Sequence, residues 1–224
     1  MLSVFLWAVI YEITYIISQT VSSQFNASRW FTPLALLLYI CIFLVWIYVT
    51  GRNSDIALGK GKVFEHVNIM YMLPLIALPI CNIVLGKGLQ VPLYTAVYLV
   101  SASIVEEIFF RGFLLHYFSK KSKAFGIVFT SVLFAVLHLS NLVHCKDVVY
   151  IVLQVLCALV MGICYAEIVI LYQSLLPCFV AHIFTNITGV NTVLMPNYGE
   201  MRFLLWIVIV FYVGYGFYLY RKIR

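Results

Sequence analysis

Two adjacent carboxylates and a guanidinium, Glu106, Glu107 and Arg111, sit inside a long apolar stretch of this chain. At membrane depth each such charge costs roughly 2.5–3.5 kcal/mol on insertion scales. Groups in that position must pair, line a wet cavity or do chemistry. Two further apolar stretches carry polar groups of their own. His138 follows Phe134 by one helical turn, and His182 and Asn186 stand four apart on one face. An acid, two imidazoles and an amide suit general acid–base hydrolysis, with the acid moving protons and the amide donating to a developing oxyanion. No motif suggests an activated serine or cysteine.

Helical geometry separates the two acids. Glu107 and Arg111 are four apart and share a face, which predicts a structural ion pair. Glu106 is rotated from Glu107 by about 100° on a 3.6-residue helix, so it is free to face other helices. The alternative is that both acids serve one ion network with Arg111.

The elements that must position these groups are apolar spans. The chain is 64% hydrophobic, 17% aromatic and only 10% charged. Its mean hydropathy is +1.05. A soluble domain is roughly 45–50% apolar. The apolar runs are continuous rather than alternating, which excludes a β-barrel. The expected fold is an all-α polytopic transmembrane bundle of about eight spans, near residues 2–20, 31–50, 69–86, 91–118, 125–141, 148–168, 174–194 and 203–220. The first span carries Glu12 and lacks a basic leader and a small-residue cleavage site, so it reads as a retained helix.

Depth brings the polar groups together. Counted from the span ends at 1.5 Å per residue, Glu106, His138 and His182 lie roughly 18, 21 and 12 Å deep, close to one layer. His116 lies nearer a boundary and His66 and His144 fall in loops, so these three are set aside.

Glu106-Glu107-x-x-x-Arg111, then Phe134-x-x-x-His138, then His182-x-x-x-Asn186 resembles the three-motif signature of the CPBP family. That family includes the type II CAAX prenyl endopeptidases and the bacteriocin-processing or bacteriocin-immunity Abi proteins. Ser174-Leu175-Leu176-Pro177 is similar to the lead-in of its last motif. The resemblance implies an intramembrane endopeptidase. Residue by residue, Glu106 matches the catalytic glutamate and His138 its partner. His182 and Asn186 match the pair that stabilises the oxyanion, and Glu107 and Arg111 match the structural remainder of the first motif.

The resemblance divides the chain into residues 1–90, transmembrane helices of unassigned role; 91–194, catalytic-core helices; and 195–224, a last helix with a basic tail. Two mechanisms stay open. One is a glutamate-activated water with no cofactor. The other is a catalytic zinc held by Glu106, His138 and His182. No HExxH motif is present, and Asn186 suits an amide donor better than a zinc ligand. Substrates are a CAAX-type tail or a peptide pheromone or bacteriocin precursor. The rival readings are a non-enzymatic immunity or scaffold protein, and an ion-coupled transporter. A transporter would more readily show inverted repeats or broken half-helices, and neither is seen.

The net charge of +6 belongs to span ends and gives no reason to expect nucleic acid. With the N-terminus in the cytoplasm, nine Lys and Arg fall inside (Arg52, Lys60, Lys62, Lys120, Lys121, Lys123, Arg221, Lys222, Arg224) against four outside (Arg29, Lys87, Lys146, Arg202). Both termini are then cytoplasmic. The partners expected are the lipid bilayer and a membrane-associated peptide or protein. The compact chain points to a prokaryotic cell membrane, and no feature fixes an oligomeric state. Cys41, Cys81, Cys157, Cys164 and Cys178 fall in apolar runs and Cys145 in a loop, with no CxxC pair. They read as small apolar residues.

Overall fold

The computed structural model describes residues 2–24, 29–52, 69–85, 91–143, 147–193 and 198–224. Among the described residues there are eight helices and no strands. They are α1 (Leu2–Gln24), α2 (Phe31–Val49), α3 (Ala77–Leu85), α4 (Leu93–Ser119), α5 (Lys123–Leu137), α6 (Val148–Tyr172), α7 (Leu176–Val193) and α8 (Tyr198–Ile223). Five segments are long and apolar enough to cross a bilayer: α2, α4, Lys123–Leu142, α6 and Arg202–Ile223. Leu6–Ser18, Leu73–Val84 and Leu176–Gly189 are shorter apolar stretches. The chain is an all-α helical membrane bundle. His66, His144, Cys145, Lys60, Lys62, Lys87 and Lys146 lie outside the described residues.

The helix boundaries follow local chemistry. The Ser122 hydroxyl accepts from Phe125 N–H at the start of α5, and Asp147 Oδ1 accepts from Tyr150 N–H at the start of α6. Each satisfies an orphan donor. Asp147 also takes a bond from Arg202, tying the start of α6 to that of α8. Gln173, with φ 52°, ends α6 in the left-handed region, and Pro177 then enters the first turn of α7.

Helix α6 forms the spine. It packs along α8 on one side and α5 on the other, while α7 contacts α3 and α4, and α2 bridges α1 to α4. Buried hydroxyls are satisfied within their own helices: Ser101 donates to the Val97 carbonyl, Ser103 to Leu99 and Ser131 to Ile127. Such back-bonding is what a water-free interior demands. The outward faces are apolar, with Val9 and Ile16 on α1, Leu38 and Val45 on α2, and Phe203 and Val210 on α8 all exposed. The described cysteines Cys41, Cys81, Cys157, Cys164 and Cys178 are all free. One glycine is required by packing: a Cβ on Gly126 would lie 2.8 Å from the Ser119 backbone nitrogen, where α5 folds back against the end of α4.

Two local geometries depart from regular α-helix. Helix α4 runs as α-helix to Glu107, as π-helix over Ile108–Leu114, and as α-helix again over Leu115–Ser119. The apolar span past Phe134 also changes character, because His138 opens a 3₁₀ segment that runs to Val143. Both changes fall at motif residues, where a wider or tighter turn re-aims side chains.

Candidate active site

The network begins at Glu107, which is fully buried. Its Oε1 accepts from Arg111 Nη1 at 3.0 Å and from His182 Nδ1 at 2.7 Å. The expected Glu107–Arg111 pair is therefore present, but Glu107 has a second task. It holds the ring of His182, which the spacing of the first motif alone does not reveal. A carboxylate oxygen only accepts, so Nδ1 carries the hydrogen and Nε2 is left to face outward. Nε2 lies 3.6 Å from Glu106 Oε2.

Glu106 faces another helix, as its rotation on α4 allows, and the group it meets there is His182. Glu106 is half-buried, whereas Glu107 is sealed. Two carboxylates, one imidazole and one guanidinium form a single chain of charge-bearing groups, Arg111–Glu107–His182–Glu106.

Arg111 is caged by rings. Its guanidinium carbon stands 3.9 Å from the centroid of Phe134 and 5.5 Å from that of Tyr165. Cation–π attraction is strongest in such desolvated positions. Phe134 also meets both histidines edge-on, with ring centroids 4.9 Å from His138 and 5.6 Å from His182. The phenylalanine of the second motif is thus the packing centre that brings the three motifs together. Gly162 on α6 makes room for the guanidinium, since a Cβ there would meet Arg111 Nη2 at 3.2 Å.

His138 Nδ1 lies 3.0 Å from the Phe134 carbonyl oxygen. A carbonyl only accepts, so Nδ1–H donates and the neutral ring presents Nε2 as an acceptor. Asn186 Nδ2 donates to Ser103 Oγ at 2.9 Å. Among the described residues, no hydrogen bond joins Glu106 to His138 or to Asn186. Ser103 carries no motif signal, because its spacing from Glu106 is that of any helical neighbour.

Two cavities meet at this network. One of about 260 Å³ has mostly apolar walls but gathers His138, His182, Asn186, Asn82 and Gln154 in its lining. An apolar one of about 430 Å³ is lined by Glu106 and Glu12 together with Val9, Phe43, Phe110 and Leu133, among others. Glu106 lines the larger cavity and His182 the smaller one, so their contact stands between the two. His138, His182 and Asn186 share a cavity, while Glu106 approaches from its far side.

Among the described residues no group of three His, Cys, Asp or Glu is positioned to hold a metal ion. Nδ1 of both histidines is engaged, by Glu107 and by the Phe134 carbonyl, which leaves Nε2 as the free nitrogen of each ring.

Removing either member of the buried ion pair strands the other. Glu107→Ala and Arg111→Ala are each expected to destabilise the protein by about 3–5 kcal/mol. Thermal unfolding of the purified variants measures this. Wild-type stability in either would show that the pair does not hold the fold.

Residues 88–188 match the family model described as Type II CAAX prenyl endopeptidase Rce1-like. No curated protein and no solved structure matches the chain. The matched segment contains all three motifs and every residue of the network just described. That match and those motifs support membership of the CPBP family, and the matched segment is similar to the Rce1-like type II CAAX prenyl endopeptidases, a family of proteases.

Proposed function

We propose that this chain hydrolyses a peptide bond of a membrane-associated peptide by a glutamate-activated water, without a metal. The observation that carries the reading is the complementary setting of the two histidines. His138 offers an acceptor at Nε2, suited to orienting a water hydrogen. His182 is buttressed by Glu107 so that Nε2 faces the reacting groups.

Glu106 acts as general base and takes one proton from the water as its oxygen attacks the scissile carbonyl carbon. The tetrahedral oxyanion accepts from Asn186 Nδ2 and from protonated His182 Nε2–H. Asn186 Nδ2 carries two hydrogens, so one can stay on Ser103 while the other reaches the oxyanion. Glu106 then delivers its proton to the amide nitrogen, the C–N bond breaks, and an acid and an amine leave.

The substrate is a peptide carrying an apolar chain. Support comes from the lining of the larger cavity, which is apolar apart from Glu106, Glu12 and two tyrosines. A CAAX-type tail and a lipid-seated precursor peptide share this chemistry. Under the same reading both chain ends lie in the cytoplasm.

The test compares peptides with and without an attached apolar chain, using purified protein. Removing the chain should lower kcat/KM by about tenfold or more, since each buried methylene is worth ~0.8 kcal/mol. Equal kcat/KM for the two peptides would remove the apolar cavity from substrate recognition.

A further inference from the structure

One buried acid belongs to none of this chemistry. Glu167 on α6 is 2% exposed, and its Oε2 has no hydrogen-bond partner among the described residues. A buried carboxyl without a partner is relieved either by a proton of its own or by a donor from outside. Glu167 lines a third cavity, of about 370 Å³, between α5, α6 and α8. Its walls are otherwise apolar, including Ile127, Val160, Ile163, Val213 and Phe217. At Gly216 no side chain stands between α8 and the acid, where a Cβ would lie 3.6 Å from Oε2.

The cavity begins at the most basic end of the bundle. Ala124 and Tyr220 line it, and their chain neighbours are Lys123 and Arg221. Lys123 Nζ donates to the Ile223 carbonyl at 3.3 Å, which draws the start of α5 to the end of α8. Lys120, Lys121, Lys222 and Arg224 are at the same end. From Tyr220 the lining reaches inward to Tyr212, about 12 Å at 1.5 Å per residue. The slot therefore lies at the end of the bundle where the Lys and Arg residues gather, with one acid in its lining and apolar walls around it.

We propose that this slot binds one aminophospholipid. Its phosphate meets the Lys and Arg residues of that end, its primary ammonium donates to Glu167, and part of one acyl chain fills the apolar wall space. Charge complementarity selects this occupant. A lipid with an anionic head alone satisfies those cations and leaves Glu167 unpaired. A quaternary ammonium brings charge but no N–H to donate.

The experiment is native mass spectrometry of the full chain, equilibrated in mixed micelles with equal amounts of phosphatidylethanolamine, phosphatidylcholine and phosphatidylglycerol. Wild type should retain one phosphatidylethanolamine per chain, enriched roughly tenfold over the other two, the scale of one charge-assisted hydrogen bond. Glu167→Gln should bring the three lipids to equal retention. Gly216→Leu, which fills the slot beside the acid, should lower retention of all three. The proposal is overturned if wild type retains no lipid at one per chain. It is also overturned if phosphatidylglycerol or phosphatidylcholine is held as well as phosphatidylethanolamine, if Glu167→Gln keeps the preference, or if Gly216→Leu leaves retention unchanged.

Discussion

Replacing Glu106 by glutamine is expected to lower turnover by at least about 10³-fold while the protein stays folded and inserted, within the range for losing a positioned general base. The amide keeps the size of the side chain but cannot take the proton from water. Glu106 is half-buried and sits at the end of the charge chain, so its loss strands less than the loss of Glu107 does. Circular dichroism and thermal unfolding separate the two outcomes. Retained proteolysis in the purified, folded variant would refute the role of Glu106 as base. An unfolded variant would make Glu106 a structural member of the Arg111–Glu107–His182 chain.

Asn186→Ala is expected to cost about 10²–10³-fold in kcat, the scale found on removing one oxyanion-hole donor. KM should change less, because the carbonyl gains its negative charge only in the transition state. Ser103 supplies an internal control. It accepts from Asn186 in the resting geometry, so Ser103→Ala frees the amide without removing it. That variant should lose far less activity than Asn186→Ala. A raised KM with unchanged kcat in Asn186→Ala would move this residue from the oxyanion to substrate positioning.

The polar residues of the site are legible in the sequence because an apolar bundle makes each of them conspicuous. Glu107 and Arg111 four apart also forecast their ion pair, now seen at 3.0 Å. Contacts between helices distant in sequence were not legible. The bond from His182 to Glu107 spans 75 residues and that from Asn186 to Ser103 spans 83. Each depends on how α7 packs against α4, which intra-helix spacing does not encode. For the same reason the rotation of Glu106 away from Glu107 on α4 did not reveal that His182 reaches both. The π-helical turn at Ile108–Leu114 and the 3₁₀ turn at His138 were hidden as well. Their sequences read as uninterrupted apolar helix, and tertiary packing sets the local turn.

Glu167 illustrates the opposite case. It lies in a segment that hydropathy marks as a span, and its type alone invites attention. Only the cavity between α5, α6 and α8, and the cationic end where that cavity begins, give the acid a chemical context.

In the proposed mechanism the site activates water with a glutamate rather than a metal. The most direct measurement is elemental analysis of active, purified protein, followed by assay after exhaustive chelation. A glutamate-activated water predicts no stoichiometric zinc and full activity after chelation. About one zinc per chain, with activity lost on chelation and restored by added zinc, would contradict it.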